Sequence, residues 1–530
     1  MPMLREEKAQ GLVDLAEKAF PEPPLGNAER EMLRAAALGS WADLRAGNEP
    51  EDDPTGAGQW GADRAVRAEL LRWLCTDHEA SDLVDTRGVL VRGVRIDGRP
   101  DLSCADVPFR LAFSGCAFPA GLSLIDARVP GLFLNGSHMR SGSHTGSIVA
   151  DRLTVTGTVA LRDKFRATGM VRLLGASVGG DLDCTDGTFE EVDAEALKVD
   201  GIKVKGSVFL GRGFRASGEV NLEGASVGAN LECRSGTFEN PDADALSAGG
   251  IRVRGGVFLD KGFRASGKVR LLGASVGGDL VCSGGSFENP GGDAVSAETA
   301  HVTGAIVLLG ISAMQGRLNL GHAHARILAD DRTAWPERGL LVLDGFTYEA
   351  IVGETGAKGR LQWLERQYPE DRKQWRGAFR PQPYDQLAPV LRRMGHEGEA
   401  RKVLMGKHEH QRKYGTMGKC ARAWNWLMGL MIGHGYKPQR AFYLLSPFFL
   451  LLGYSLFASV EMHQMDENSA PFSALGYSFD AFFLIVDLHQ YDAWEPVCPW
   501  ARAYVWFHAF CGVILTAALV AGLTGIVKRE

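Results

Sequence analysis

Phe165-Arg-Ala-Thr-Gly-Met-Val-Arg-Leu-Leu-Gly-Ala-Ser-Val-Gly-Gly-Asp-Leu-Asp-Cys184 returns 49 residues later as Phe214-Arg-Ala-Ser-Gly-Glu-Val-Asn-Leu-Glu-Gly-Ala-Ser-Val-Gly-Ala-Asn-Leu-Glu-Cys233. After another 49 residues the run begins again at Phe263 and ends at Cys282. Three markers held at one spacing (Phe-Arg-Ala, Gly-Ala-Ser-Val-Gly and the cysteine) define an internal repeat. Inside it a shorter pattern recurs, apolar-x-Gly-x-apolar-x-Leu/Cys. It runs from Val178 to Cys184, Val204 to Leu210, Val227 to Cys233 (Ala229 in the glycine slot), Val253 to Leu259, Val276 to Cys282, Val302 to Leu308 and Met314 to Leu320. Alternation with period two reads as a strand with one face inward. Corresponding positions lie alternately 26 and 23 residues apart, so each unit is two coils of about 24–25 residues.

Coils of this length predict a mainly β fold, a β-solenoid in which each turn pairs with the last at roughly 4.8 Å. Degenerate copies extend the pattern back to Ile96-Asp97-Gly98 and forward to Leu340-Leu-Val-Leu-Asp-Gly345. That makes about eleven coils and a rod on the order of 50 Å long. Open solenoid ends are exposed sheet edges, so they need caps. Residues 1–82 read as a helical cap, in which Asp63 N-caps a helix with Val66, Leu70, Trp73 and Leu74 on one face. Glu51 to Gly58 reads as a loop. The solenoid then occupies 83–351.

Glycine is abundant, 66 of 530 residues, against a usual share of ~7%. The nine cysteines form no Cys-x-x-Cys pair and read as reduced, mostly buried thiols of a cytosolic domain. The polar start Met1-Pro-Met-Leu-Arg-Glu-Glu-Lys has no apolar core of a signal peptide.

Residues 352–440 change to helix formers and form a basic neck. From Val352 to Arg440 there are 18 Lys/Arg and 8 Asp/Glu, a net of +10. Tyr384 to Met394, a turn at Gly395 and Glu397 to Leu404 read as a helix pair packed through Leu387, Val390, Leu391, Ala400 and Val403. The basic side chains Lys413, Lys419, Arg422, Lys437 and Arg440, with Trp424 and Trp426, fit a surface facing anionic lipid headgroups; a solvated helical surface is the alternative.

Residues 441–530 read as a membrane domain. Ala441 to Val460 and Ala503 to Val527 are uncharged and long enough to cross a bilayer core as helices (441–460 and 503–527). Basic residues flank them at Lys437, Arg440, Lys528 and Arg529, whereas 461–502 holds seven acids against Arg502. The positive-inside rule then predicts a multi-pass protein of the bacterial inner membrane with both termini cytosolic and 461–502 outside. Between the spans, Phe479 to Leu488 is too short to cross and reads as a re-entrant or an interfacial helix. Helix, half-helix, helix resembles the arrangement of tetrameric cation channels. In that reading Asp480, Asp487 and Phe483 line a pore or vestibule, although no Thr-Val-Gly-Tyr-Gly filter is present.

Chemistry is sparse. Cys184, Cys233 and Cys282 occupy the inward slot that Leu210 and Leu259 fill on alternate coils, a core ladder. Two coils apart, they stand about 9–10 Å from each other, too far for a disulfide or a shared zinc. His322 and His324 lack a third ligand, and His408 and His410 diverge on a helix. His508 is either an intramembrane titratable group or an interfacial residue near Trp506. Arg166, Arg215 and Arg264 form a row that is either an anion surface or a solvated face. Nucleotide loops, nucleophile elbows and zinc motifs are missing from the sequence. The expectation is a chain without catalytic residues, cofactor or metal, and without a nucleic-acid partner.

Trp60-Gly-Ala-Asp-Arg-Ala-Val-Arg-Ala-Glu69, Arg87 to Gly98, Phe379-Arg-Pro-Gln-Pro-Tyr-Asp-Gln-Leu-Ala388 and Val520 to Arg529 carry a family resemblance. The chain resembles the bacterial pentapeptide-repeat-like membrane proteins often labelled membrane-associated oxidoreductase. The resemblance implies a solenoid on a membrane domain, and its label implies a redox activity for which no motif is found here. The coil is longer than that of true pentapeptide repeats. Three functions follow as expectations: a membrane-tethered scaffold or sensor for a cytosolic protein partner, a homo-oligomeric gated channel, and, least favoured, an oxidoreductase.

Overall fold

The computed structural model describes residues 2–140, 146–371, 377–465, 470–483 and 485–524. It divides into two compact units, 1–370 and 371–530.

The first unit is a parallel β-solenoid of about 11 turns with helical ends. Its strands form two sheets of 20 and 15 strands. In a representative coil, Ser177–Val178 and Leu182–Asp183 join the first sheet and the long, bent Thr188–Lys198 joins the second. The repeating apolar-x-Gly-x-apolar pattern therefore does not lie on one strand. Gly179 and Gly180 turn a corner between two short strands, because a closed coil must bend while Val178, Leu182 and Cys184 keep facing inward. Two copies are exceptions: Val302 to Leu308 lies on one continuous strand, His301–Leu308, and Met314 to Leu320 lies on the opposite sheet, where Met314 pairs with Phe287.

The two-coil period has a packing cause. Phe165, Phe189, Phe214, Phe238, Phe263 and Phe287 are all fully buried, and successive ring centroids lie 5.1–5.5 Å apart. One coil supplies the ring from Phe214-Arg-Ala216, the next from Gly236-Thr-Phe238, and Ala216 pairs with Phe238. A Cβ on Gly236 would stand 2.9 Å from the Phe238 ring, so the glycine clears space for the aromatic two residues on. Phe-x-Ala and Gly-x-Phe thus alternate to fill a single column with rings at interior density.

The ends are closed by more than helices. Ala42–Asp43 pairs with Val91 and Arg92, and Ala65–Arg67 pairs with Arg95–Asp97, so the cap region adds strands to the stack. Val66 consequently sits in a strand, and the helix begins at Ala68 with Arg67, not Asp63, at its N-cap. Leu70 and Leu74 are buried as expected. The region expected as a loop after Glu51 holds short helical turns, Glu49–Asp52 and Pro54–Gln59. Helix Ala357–Glu365 belongs to this unit and not to the neck. Its Arg360, fully buried, grips Asp330 with two hydrogen bonds of 3.0 and 2.7 Å.

Numbering helices along the chain, α1 to α5 (Pro2–Ala19, Asn27–Leu38, Glu49–Asp52, Ala68–Thr76, His78–Leu83) and α6 (Ala357–Glu365) lie in the first unit. In the second, α7 (Gln382–Arg393) and α8 (Glu397–Tyr414) form the expected hairpin about Gly395, whose φ of 85° suits glycine. Leu387, Val390, Leu391, Ala400 and Val403 are all fully buried there. Then come α9 (Lys419–Ile432), α10 (Gln439–Phe457), α11 (Ala474–Phe482) and α12 (Pro499–Thr524). The expected spans thus begin earlier than the uncharged runs. Residues 525–527, Lys528, Arg529, Asp466 and Glu467 lie outside the described residues.

Candidate functional site

Two helices, α10 and α12, are long and apolar enough to cross a membrane. Their outer rows stay uncovered: Leu444, Phe448 and Leu451 on α10, and Phe510, Ile514 and Leu523 on α12, are exposed. Between the two helices packs α11. Ser473 caps it by accepting from the Gly476 N–H at 3.1 Å. The Ser478 hydroxyl donates to the Leu450 carbonyl of α10 at 3.1 Å and lies 3.3 Å from His508 Nε2 of α12. Four residues on, the Phe482 carbonyl sits so close to Gly512 that a Cβ there would come within 1.9 Å. The contacts 478 to 508 and 482 to 512 advance together, so α11 runs parallel to α12 and ends beside its middle. A Cβ on Gly453 would meet Ser478 Oγ at 2.3 Å, so α10 also needs glycine where the half-helix approaches.

His508 is fully buried among Phe457, Phe482 and Tyr504. Its Nε2 lies 3.0 Å from the Ser478 carbonyl and its Nδ1 3.3 Å from the Tyr504 hydroxyl. Trp506, two residues before it, is exposed, whereas His508 ties the half-helix to α12.

Asp480 also departs from its expected place. It is 5% exposed, and its carboxylate accepts the backbone N–H groups of Leu488, Gln490 and Tyr491, each at 2.9 Å. A carboxylate spent on three N–H donors organises the returning chain and does not face a vestibule. Asp487, in contrast, is exposed. Its side chain is 64% exposed and that of His489 is 85% exposed, with His489 Nδ1 3.0 Å from the Asp487 carboxylate. Phe483 is half-buried, its ring packed on Phe479 and Phe442. Ile485 is 85% exposed, whereas Leu484 lies outside the described residues. The chain then returns through Trp494–Pro496, which pairs antiparallel with Met462–Gln464.

On the helix before the first span, Trp424 and Trp426 are exposed while Asn425 between them is buried. Lys413, Lys419 and Arg422 are exposed, and Lys437 and Arg440 half-buried. His408 and His410 diverge as expected. His410 meets the Tyr384 hydroxyl at 2.5 Å, and His408 stacks on His434 with centroids 4.4 Å apart. Burial and the neighbouring His408 and Arg412 charges push His434 down to about 4.

In the rod, Cys184, Leu210, Cys233, Leu259 and Cys282 form one fully buried inward column. Burial pushes all three thiols up, that of Cys282 to about 12, which leaves them without thiolate reactivity. No group of three or more metal-type side chains is gathered among the described residues. The arginine row is not bare: Arg166 meets Glu190 at 2.9 Å and Arg215 meets Glu239 at 2.8 Å, each carboxylate coming from the next coil. His322 turns a corner at φ 55°, and His324 stacks on His301 of the preceding coil. An open groove of about 880 Å³ lies beside the short helical turns at Asp52–Thr55. Its lining balances Arg45, Arg92, Lys164 and Arg166 against Asp52, Asp53, Asp163 and Asp186, so net charge selects no ligand there.

Sequence reasoning missed the phenylalanine column and the Arg360–Asp330 clamp. Phe189, Phe238 and Phe287 share the 49-residue spacing and could have been found by it; nothing local marks Arg360. No family model, curated protein or solved structure matches the chain.

Proposed function

We propose that the chain is a membrane-tethered solenoid, a scaffold or sensor that presents a rigid rod to a cytosolic protein partner at the bacterial inner membrane. One observation carries the reading: rows of large apolar side chains stand uncovered on both long helices, a surface that water does not tolerate and a bilayer does. The Trp424 and Trp426 side chains and the basic residues leading to α10 support an interfacial position for α9. The charge pattern supports cytosolic termini, and the unpaired cysteines, five of the nine buried and Cys104 and Cys420 exposed, agree with a reducing compartment. Inside the rod the rings and aliphatic rows fill the coil, so its outer ladders are the available surface.

Liposome flotation and protease protection of the full chain test the tether. It fails if the protein stays with the aqueous fraction. Crosslinking in intact cells tests the scaffold, which predicts reproducible links from rod residues to one partner.

A second reading is a pore formed by the membrane domain. The half-helix that stops beside the middle of α12 supports it, since chain that enters and returns is found where channels place their lining. Asp487→Asn should then change ion flux through reconstituted liposomes, and unchanged flux counts against it.

A further inference from the structure

We propose that the returning limb Asp487–His489 faces water enclosed by further copies of this chain, so that the membrane domain works as a closed homo-oligomer with this limb of each copy at its axis. The proposal rests on the reading that α10 and α12 cross a bilayer, and it deepens the pore reading by giving the lining a depth, confining it to Asp487–His489 and excluding Asp480.

Depth comes first. Asp480 lies on α11 between Ser478, which is level with His508, and Phe482, which is level with Gly512. Its carboxylate holds the N–H groups of Leu488, Gln490 and Tyr491, so the limb runs at the height of that stretch of α12. The uncharged part of α12 begins at Ala503. At 1.5 Å per residue, positions 508 to 512 lie roughly 8–14 Å below that boundary, inside a hydrocarbon core about 30 Å thick.

Exposure comes second. At this depth Asp487 and His489 remain 64% and 85% exposed, and Leu488 is also exposed. An ionisable pair on irregular backbone is tolerated at such depth only when it lines a water-filled cavity or is buried in protein. No other described part of this unit covers the pair. Two spanning helices and a half-helix cannot enclose a cavity alone, whereas a closed ring of identical copies brings the same limb of each around one axis and shields it from lipid. Acids gathered there would concentrate cations. Asp480 is excluded from that lining because its oxygens already serve the backbone.

The test uses the full chain in liposomes, with Cys104, Cys420, Cys498 and Cys511 replaced by serine. Asp487→Cys and His489→Cys are then exposed to a charged, membrane-impermeant thiosulfonate, with Leu451→Cys and Phe510→Cys as lipid-face controls. The loop positions should label about tenfold or more faster than the controls, because the reactive thiolate is disfavoured in hydrocarbon. A flexible bis-thiosulfonate reagent, which spans enclosed water that a direct disulfide could not, should also link two copies through His489→Cys. Controls that label as fast as the loop would overturn the bilayer reading itself. Protected controls with equally protected loop positions would overturn only the water-facing limb. Fast labelling without any link between copies would overturn the shared axis. Asp487→Asn serves as the milder variant, and it should keep the oligomer while altering cation flux.

Discussion

Arg360→Leu should unfasten one end of the rod while leaving the other intact. Arg360 is fully buried and Asp330 is 2% exposed, and the bidentate pair of hydrogen bonds between them joins α6 to the last long strands of the solenoid. Removing the guanidinium leaves a buried carboxylate with the Trp335 indole N–H, 2.8 Å away, as its remaining side-chain donor. Breaking one partner of such a pair costs about 3–5 kcal/mol. At 1.4 kcal/mol per tenfold, the opening equilibrium of the capped coils should rise by roughly two to three and a half powers of ten. Hydrogen exchange of the full chain in detergent reads this directly. Amides of His324–Asp330 and Thr347–Gly353 should lose that much protection. Those of Ser177–Val178 through Leu231–Glu232 should keep theirs, because solenoid coils couple chiefly to their neighbours. Replacing both partners, Arg360→Leu with Asp330→Leu, should restore much of the protection, since no uncompensated charge is left. Unchanged exchange beside Arg360, or a loss spread evenly along the rod, would refute the reasoning.

Phe238→Ala removes a ring held between Phe214 and Phe263 at 5.1 and 5.2 Å, and should cost about 3–5 kcal/mol of coil stability, centred on the cavity, as measured by exchange of the flanking strands. Glu219 is raised to about 7 by burial first and then by Asp244, Glu195, Glu223 and Asp200. Its native form therefore holds a proton that the unfolded form releases near 4.5, so stability is fully present below pH 4.5 and falls as pH rises through 7. Thermal melts should show Glu219→Gln gaining on the parent at pH 8 and matching it at pH 4, and equal gain at both values would contradict the assignment. For His434 the sign reverses: with its pKa pushed down to about 4, the contact with His408 should weaken as pH falls from 6.5 through 4, visible as faster exchange at the start of α10. Gly512→Val drives a side chain into the Phe482 carbonyl and should release α11 from α12, making the 470–483 segment sensitive to protease in detergent micelles; retained resistance would show that the approach is not tight.

Periodicity was legible because every coil solves the same burial problem: rows recurring after 23 and 26 residues announce stacked strands before any contact is known. The two apolar helices, the α7–α8 hairpin and the inward cysteines were readable for the same reason, since length, period and spacing are one-dimensional quantities. Why two coils make one repeat was not. That depends on Phe214 and Phe238 reaching one column from different backbone positions, a matter of side-chain direction in three dimensions. Asp480 and Asp487 look alike along the chain, seven residues apart on an apolar segment. Folding brings three backbone N–H groups to one and leaves the other uncovered, because hydrogen-bond partners are chosen by proximity in space. Arg360 and Asp330 stand 30 residues apart without a local signal for their pairing. Charge pattern alone reads both as surface residues, and only the closing of the last coil beneath α6 takes them out of water.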